Sequence, residues 1–165
     1  MKEIKPELLN ENPFQMIGKD WLLLTAEKDG KVNTMTASWG GVGILWNKNV
    51  AYLFIRPQRY TKEFIDASDR LSISVLPEEF RKVLGYLGRV SGRDEDKIAN
   101  SGLTVKDFEG VPGFEEARLT IVAKKLYAQE LKEECFIDTG IIEKDYKAKD
   151  FHTMYVVEIE KILEN

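Results

Sequence analysis

Residues 33–43 read NTMTASWGGVG. A strand that closes a core is usually built from Val, Ile, Leu and aromatics. This one carries Thr34, Met35, Thr36, Ala37 and Ser38, then Trp39, then Gly40 and Gly41. Small side chains leave backbone N–H and C=O groups uncovered, and uncovered backbone suits contact with something flat. The stretch is the second half of a hairpin. Residues 21–38, WLLLTAEKDGKVNTMTAS, read as two strands around Asp29-Gly30, a dipeptide that fits a tight two-residue turn.

Working outward, VGILW and VAYLFI form a second hairpin-like unit, with Asn47-Lys48-Asn49 as the expected turn. TKEFIDAS (61–68) reads as a helix with Phe64, Ile65 and Ala67 on its apolar side, and RLSISVL (70–76) alternates as a strand with one wet face. Pro77 opens a helix over EEFRKVLGYLG, where Phe80, Val83, Leu84 and Leu87 recur at helical spacing. Residues 88–114 are Gly-rich and polar, a loop with a short helix over Glu95–Asn100. EARLTIVAKKLYAQEL (116–131) is a long strand bent near Lys124-Lys125, and FHTMYVVEIEKIL (151–163) is another strand. Strands dominate, with a few short helices, so the expected fold is a small β-barrel with helical additions in one domain over 1–165. Residues 1–12 read as a loosely ordered extension.

The chain of 165 residues carries a formal net charge of −4, which offers no general phosphate-neutralising surface and argues against nucleic-acid binding. Its unbroken apolar runs are only a few residues long, as in Trp21–Leu24, far short of the roughly 18 residues that span a bilayer. The acidic, polar start has no signal-peptide character, so a cytoplasmic protein is expected. One cysteine and one histidine exclude a disulfide framework and a His- or Cys-based metal site. Cys135, between Glu134 and Phe136, reads as inert. Any difficult chemistry then belongs to a cofactor.

Two further stretches bear on ligand binding. In LFIRPQRYTKEF, Arg56 and Arg59 flank Pro57 and Gln58, and Thr61 stands where a helix begins, as an expected N-cap, with Tyr60 packing on Ile65. Two arginines and a hydroxyl at a helix start make a compact place for a phosphate monoester; equally, they describe a solvated surface and an ordinary cap. In VSGRDEDK, Ser91 and Gly92 permit close backbone approach while Arg93 and Lys97 add positive charge. No Gly-x-Gly-x-x-Gly or Walker-type loop is present. A flat ring on the small-residue strand and a phosphate on the arginine loop are what a flavin mononucleotide (FMN) requires.

NTMTASWGGVG, RPQRYTKEFI, SVLPEEFRKVLGYLGRVSGRDEDKIANSGLT and FHTMYVVEIEKIL, in that order, resemble the flavin reductase-like family of FMN-binding split β-barrels, which includes flavoredoxin. The resemblance runs from Pro13 to Leu163. It implies a homodimer of split barrels with FMN, in preference to FAD, near the subunit interface. Thr34, Met35, Thr36, Ala37, Ser38 and Trp39 would border the isoalloxazine. Arg56, Pro57, Gln58, Arg59, Tyr60 and Thr61 would surround the phosphate, with Ser91, Arg93 and Lys97 approaching from another side.

The sequence departs from the family in two places. Family reductases often carry Gly-Asp-Lys-Phe where Glu95-Asp96-Lys97-Ile98 stands here. They also often have a Gly-Glu pair after a histidine, where His152 is followed by Val157-Glu158. Both departures fall on the nicotinamide side. Two functions follow from the resemblance: an NAD(P)H-linked oxidoreductase that passes hydride to flavin N5, with His152 as a candidate catalytic contact, or a flavoredoxin-type carrier exchanging electrons with protein partners and lacking a nicotinamide pocket.

Overall fold

A computed structural model describes residues 1–165. Ten strands and five short helices follow one another. The strands are β1 (Lys2–Ile4), β2 (Leu22–Lys28), β3 (Lys31–Ala37), β4 (Gly40–Leu45), β5 (Lys48–Ile55), β6 (Arg70–Val75), β7 (Val105–Asp107), β8 (Pro112–Phe114), β9 (Leu119–Glu130) and β10 (Thr153–Glu164). The helices are α1 (Pro13–Gln15), α2 (Thr61–Ala67), α3 (Arg81–Arg89), α4 (Lys97–Ser101) and α5 (Gly140–Asp145).

The main sheet runs β3-β2-β6-β9-β10-β5-β4, all antiparallel. Its two end strands, β3 and β4, are consecutive in the chain and separated only by Ser38 and Trp39. No ladder joins them, so the curled sheet stays open along that seam, the architecture expected of a split barrel. The curl follows from alternation. Leu22, Leu24 and Ala26 of β2 and Met35 and Ala37 of β3 share one buried cluster with Leu53 and Ile55 of β5. Ile73 of β6, Ile121 of β9 and Tyr155 and Val157 of β10 join the same cluster. Strands at both ends of the order meet the same core, which only a sheet bent round on itself allows.

On the outer face of β2, Leu23 meets Leu84 and Leu87 of α3, together with Leu76, Leu103, Phe114 and Ala117. This packing lays α3 along the seam, next to β3. Gly88 makes the approach possible: a Cβ there would lie 3.1 Å from the Thr36 Cβ.

The details depart from the sequence reading in several places. The second hairpin turns at Trp46-Asn47, both with positive φ, because Leu45 pairs with Lys48. Trp46 is therefore on the surface and packs edge-on against Tyr127. The helix after Pro77 begins with a 3₁₀ turn over Glu78–Phe80. The bend expected near Lys124-Lys125 is a bulge: Val156 pairs with Tyr127 and Val157 with Lys125, leaving Leu126 unpaired. The hairpin β7–β8 and helix α5 had no counterpart in the sequence reading. The first residues, expected to be loosely ordered, form β1 along the end of β10, and Glu11 forms an ion pair with Arg118. No helix is long and apolar enough to cross a membrane.

Candidate functional site

β3 ends the sheet, so one row of its backbone groups has no strand partner. Around this free edge lies a cavity of about 270 Å³ lined by Met35, Thr36, Ala37, Ser38, Trp39, Phe54, Arg56, Arg59 and His152. The β5–α2 connection brings in the arginines. Arg59 N–H donates to the Arg56 carbonyl at 3.1 Å, a turn that runs straight into α2. A second cavity of about 190 Å³ is lined by Gln58, Arg59, Tyr60, Thr61, Arg89, Val90, Ser91 and Lys97. Arg59 lines both, so the two cavities adjoin at this residue.

Most of the residues singled out in the sequence are thus brought together, but three are not. Thr34 is fully buried; its hydroxyl bonds the Thr25 hydroxyl at 2.8 Å and the Leu24 carbonyl at 3.1 Å, a cross-strand pair inside the β2–β3 hairpin. Pro57 is exposed at the turn and lines neither cavity. Arg93 lies outside both cavities; it forms an ion pair with Glu63 and stacks 4.6 Å over the Tyr60 ring.

Thr61 has a different local role from the one expected. Tyr60 already has helical dihedrals and occupies the cap position, so Thr61 is the first helical residue. Its buried hydroxyl accepts a hydrogen bond at 3.0 Å from the amide of Asn33, a residue the sequence reading did not single out. Tyr60 packs edge-on against Phe64, with ring centroids 5.0 Å apart, where a contact with Ile65 was expected. Gly92 fits against this pair: a Cβ at that position would sit 2.5 Å from Asn33 Oδ1. Gly92→Ala should therefore displace the Asn33 amide and break its bond to Thr61. The expected loss is about 1 kcal/mol of stability, measured by urea unfolding, and an unchanged midpoint would refute the contact.

The two cavities differ in charge. Lys97 is buried, 3% exposed, and donates to the carbonyls of Leu87 at 2.8 Å and Val90 at 3.0 Å. Burial pushes its ammonium down to about 8, and the charge of Arg59 adds to the effect. Arg59 donates to the Gly88 carbonyl at 2.8 Å, and burial lowers it as well. Neither cation forms an ion pair with a carboxylate. Arg56, by contrast, is neutralised by Asp150 at 2.5 Å. His152 sits against Trp39, centroids 5.0 Å apart, and its Nδ1 shares a hydrogen bond of 2.7 Å with the Tyr146 hydroxyl. Burial, then the charge of Arg56, push the imidazole down to about 4 against an opposing pull from Asp150, so it is neutral at physiological pH. The first cavity is thus partly aromatic, with Arg59 at its boundary as the one cation no carboxylate balances, while the second is lined by Arg59, Lys97 and the exposed Arg89, none of them paired with a carboxylate.

The largest cavity, about 500 Å³, lies elsewhere, between the α1 region and the start of α3. Its Arg118 is held by Glu11 and Asp20, and its Arg81 lies over the Trp21 ring. Only Arg118 is neutralised by carboxylates, and the cavity has no counterpart to the free strand edge.

The family described as flavin reductase like domain matches residues 17–165. The chain belongs to the flavin reductase-like family.

Among solved structures, the chain is similar to an FMN-binding domain of a flavin reductases-like enzyme from Shewanella baltica. The TM-score is 0.71 at 15% identity, covering 98% of this chain and 75% of that one. It is similar to flavoredoxin from Methanosarcina acetivorans, with a TM-score of 0.68 at 24% identity, covering 100% and 76%. It is also similar to an FMN-binding protein from Thermus thermophilus, with a TM-score of 0.69 at 20% identity, covering 100% and 79%. No curated protein matches the chain in sequence.

Within the flavin reductase-like family, the two departures noted in the sequence acquire a place. Val157 is fully buried in the barrel core, and Glu158 beside it pairs with Lys48 at 2.7 Å. Ile98 packs on the cluster beneath α3. Both are packing positions rather than parts of a cavity wall. Phe54, Arg89 and Tyr146 were missed in the sequence. Phe54 and Arg89 stand among ordinary apolar and charged neighbours, and Tyr146 reaches the site through a connection that carries no motif.

Proposed function

We propose that this chain is an FMN-dependent oxidoreductase with NAD(P)H-linked, flavin reductase-like activity. The observation that carries the reading is the pair of half-buried Arg59 and buried Lys97, two cations without a carboxylate, placed where the cavity beside a free strand edge ends. Uncompensated charge held partly away from water is costly unless an anion completes it, and a phosphate monoester on a planar group matches both cavities. The chemistry a bound flavin supplies is acceptance of hydride at N5 from a reduced nicotinamide and delivery of the electrons to an acceptor.

The chain's own residues hold and orient. Arg59 and Lys97 bind the phosphate, with Ser91 and Gln58 at the same cavity. The backbone at Thr36–Ser38 offers donors and acceptors to a ring edge, and donors there steady negative charge that develops on a reduced ring. Trp39 and neutral His152, packed on each other, form part of the wall of that cavity. Because His152 is neutral and already bonded to Tyr146, it contributes shape and a hydrogen bond rather than a cationic charge. A homodimer with the flavin near its interface and a cytoplasmic location belong to the same proposal. The exposed Ile44 and Trp46, around the edge strand β4, support an interface there.

The test is a visible absorption spectrum of freshly purified protein, followed by anaerobic addition of NADH and then NADPH. A yellow protein that bleaches quickly with one nicotinamide supports the proposal and gives its preference. Bleaching only with dithionite replaces it with a flavoredoxin-type carrier that waits for a protein partner. A colourless protein that ignores added FMN overturns the flavin reading.

A further inference from the structure

The connection between β9 and β10, residues 131–152, lies beside the first cavity, and its polar side-chain contacts with the barrel gather around Arg56. Arg56 donates from Nη1 to Asp150 Oδ2 at 2.5 Å and from Nη2 to the Asp145 carbonyl at 2.8 Å, and its guanidinium lies 5.0 Å from the Tyr146 ring centroid. Gln58 Nε2 donates to the same Asp150 oxygen at 2.8 Å. Behind these contacts, Phe136, Tyr146 and Phe151 pack on one another with centroids 5.0 to 5.7 Å apart. Tyr146 then holds His152, and His152 holds Trp39. An unbroken series of contacts therefore runs from Arg56 to the wall of the cavity.

Arg56 and Arg59, three residues apart, consequently do different things. Arg59 and Lys97 give their hydrogen bonds to backbone carbonyls and keep their charge free. Arg56 spends its charge on Asp150. A phosphate brought to Arg56 would meet the Asp150 carboxylate, and two anions on one guanidinium repel each other. We propose that Arg56 is a positioning residue, which latches the 131–152 connection onto the barrel and so fixes His152 and Trp39 as the cavity wall. The phosphate is left to Arg59 and Lys97, a division that rests on the flavin reading above.

Two measurements test the latch. The first is the ratio of riboflavin to FMN dissociation constants, which isolates the phosphate because the two ligands share the ring. Arg56→Ala and Asp150→Asn should leave this ratio within about twofold of wild type, whereas Arg59→Met should lower it at least about tenfold. A tenfold fall in Arg56→Ala makes Arg56 a phosphate ligand and overturns the proposal. The second is hydrogen exchange in the flavin-free protein, where both latch variants should speed exchange across 140–152 by about tenfold or more, with α3 and β6 unchanged. The charge-swapped pair Arg56→Asp with Asp150→Arg should restore protection. Unchanged exchange in both single variants overturns the latch.

His152 adds a signature that simple loss of charge cannot mimic. Removing the Asp150 charge alone would lower the imidazole further, because that carboxylate raises it. Opening the wall relieves burial and lifts its titration from about 4 toward the ordinary value of about 6.5. An upward shift in Asp150→Asn, read by NMR of the ring nitrogens, supports the latch, and a downward shift overturns it. If the wild type binds neither FMN nor riboflavin, the flavin reading falls, and exchange and NMR still decide the latch.

Discussion

Replacing Arg59 and Lys97 together by Met is expected to weaken FMN binding by roughly two to four orders of magnitude while changing riboflavin binding little. A hydrogen bond to a charged group contributes about 1.5–3 kcal/mol, and about 1.4 kcal/mol is tenfold in affinity. Each cation therefore accounts for about 10- to 100-fold, and the two are neighbours whose effects need not add. Methionine keeps an unbranched apolar stem at each position while removing the charge, so the fold around the second cavity is disturbed little. Titration of flavin fluorescence with the flavin-free protein measures both ligands. An equal loss for FMN and riboflavin would show that the variant had disturbed the site as a whole. Unchanged FMN affinity would remove the phosphate from this cavity.

The sequence exposed this site unevenly, for physical reasons. The small-residue strand was legible because Thr34–Ser38 breaks the composition expected of a core strand. Alternation then divides it in a way that composition does not show. Met35 and Ala37 turn into the barrel core, whereas Thr36 turns toward α3 and gives its hydroxyl to the Leu84 carbonyl at 2.6 Å. A bulky residue at Ala37 would accordingly overpack the core beside Leu22, its cross-strand partner, before it blocked any ligand. The arginine loop was legible as a cationic cluster, but the sorting of Arg56 from Arg59 was not. That difference depends on Asp150, which is 94 residues away from Arg56 along the chain. Asn33 was hidden for the same reason: its partner Thr61 is 28 residues away and reaches it only because α2 packs on the β2–β3 hairpin. Local patterns reveal strands, turns and composition; they do not reveal which charges find a counter-ion after folding.

Lys97 shows what this absence of a counter-ion does to the protein itself. In the unfolded chain its ammonium titrates near 10.5, and in the folded, flavin-free protein burial brings it down to about 8. Between those values the unfolded state holds one more proton than the folded state, so stability rises with pH across that window. One proton corresponds to about 1.4 kcal/mol per pH unit, which caps the gain at roughly 3 kcal/mol. Other groups titrate in the same range, so the informative quantity is the difference between wild type and Lys97→Met. From pH 8 to 10.5 the flavin-free wild type should gain stability relative to the variant, as read by urea unfolding at several pH values. A phosphate in the second cavity favours the charged ammonium and raises its titration, so saturating FMN should flatten the difference. For the same reason FMN should bind less tightly as pH rises past 8 in wild type, and show no such dependence on this group in Lys97→Met. A wild-type curve parallel to the variant's across the window would mean that Lys97 is solvated in solution, and the case for an anion site there would go with it. If the curves diverge as expected, the folded protein tolerates an unfavourable buried charge that a bound anion relieves.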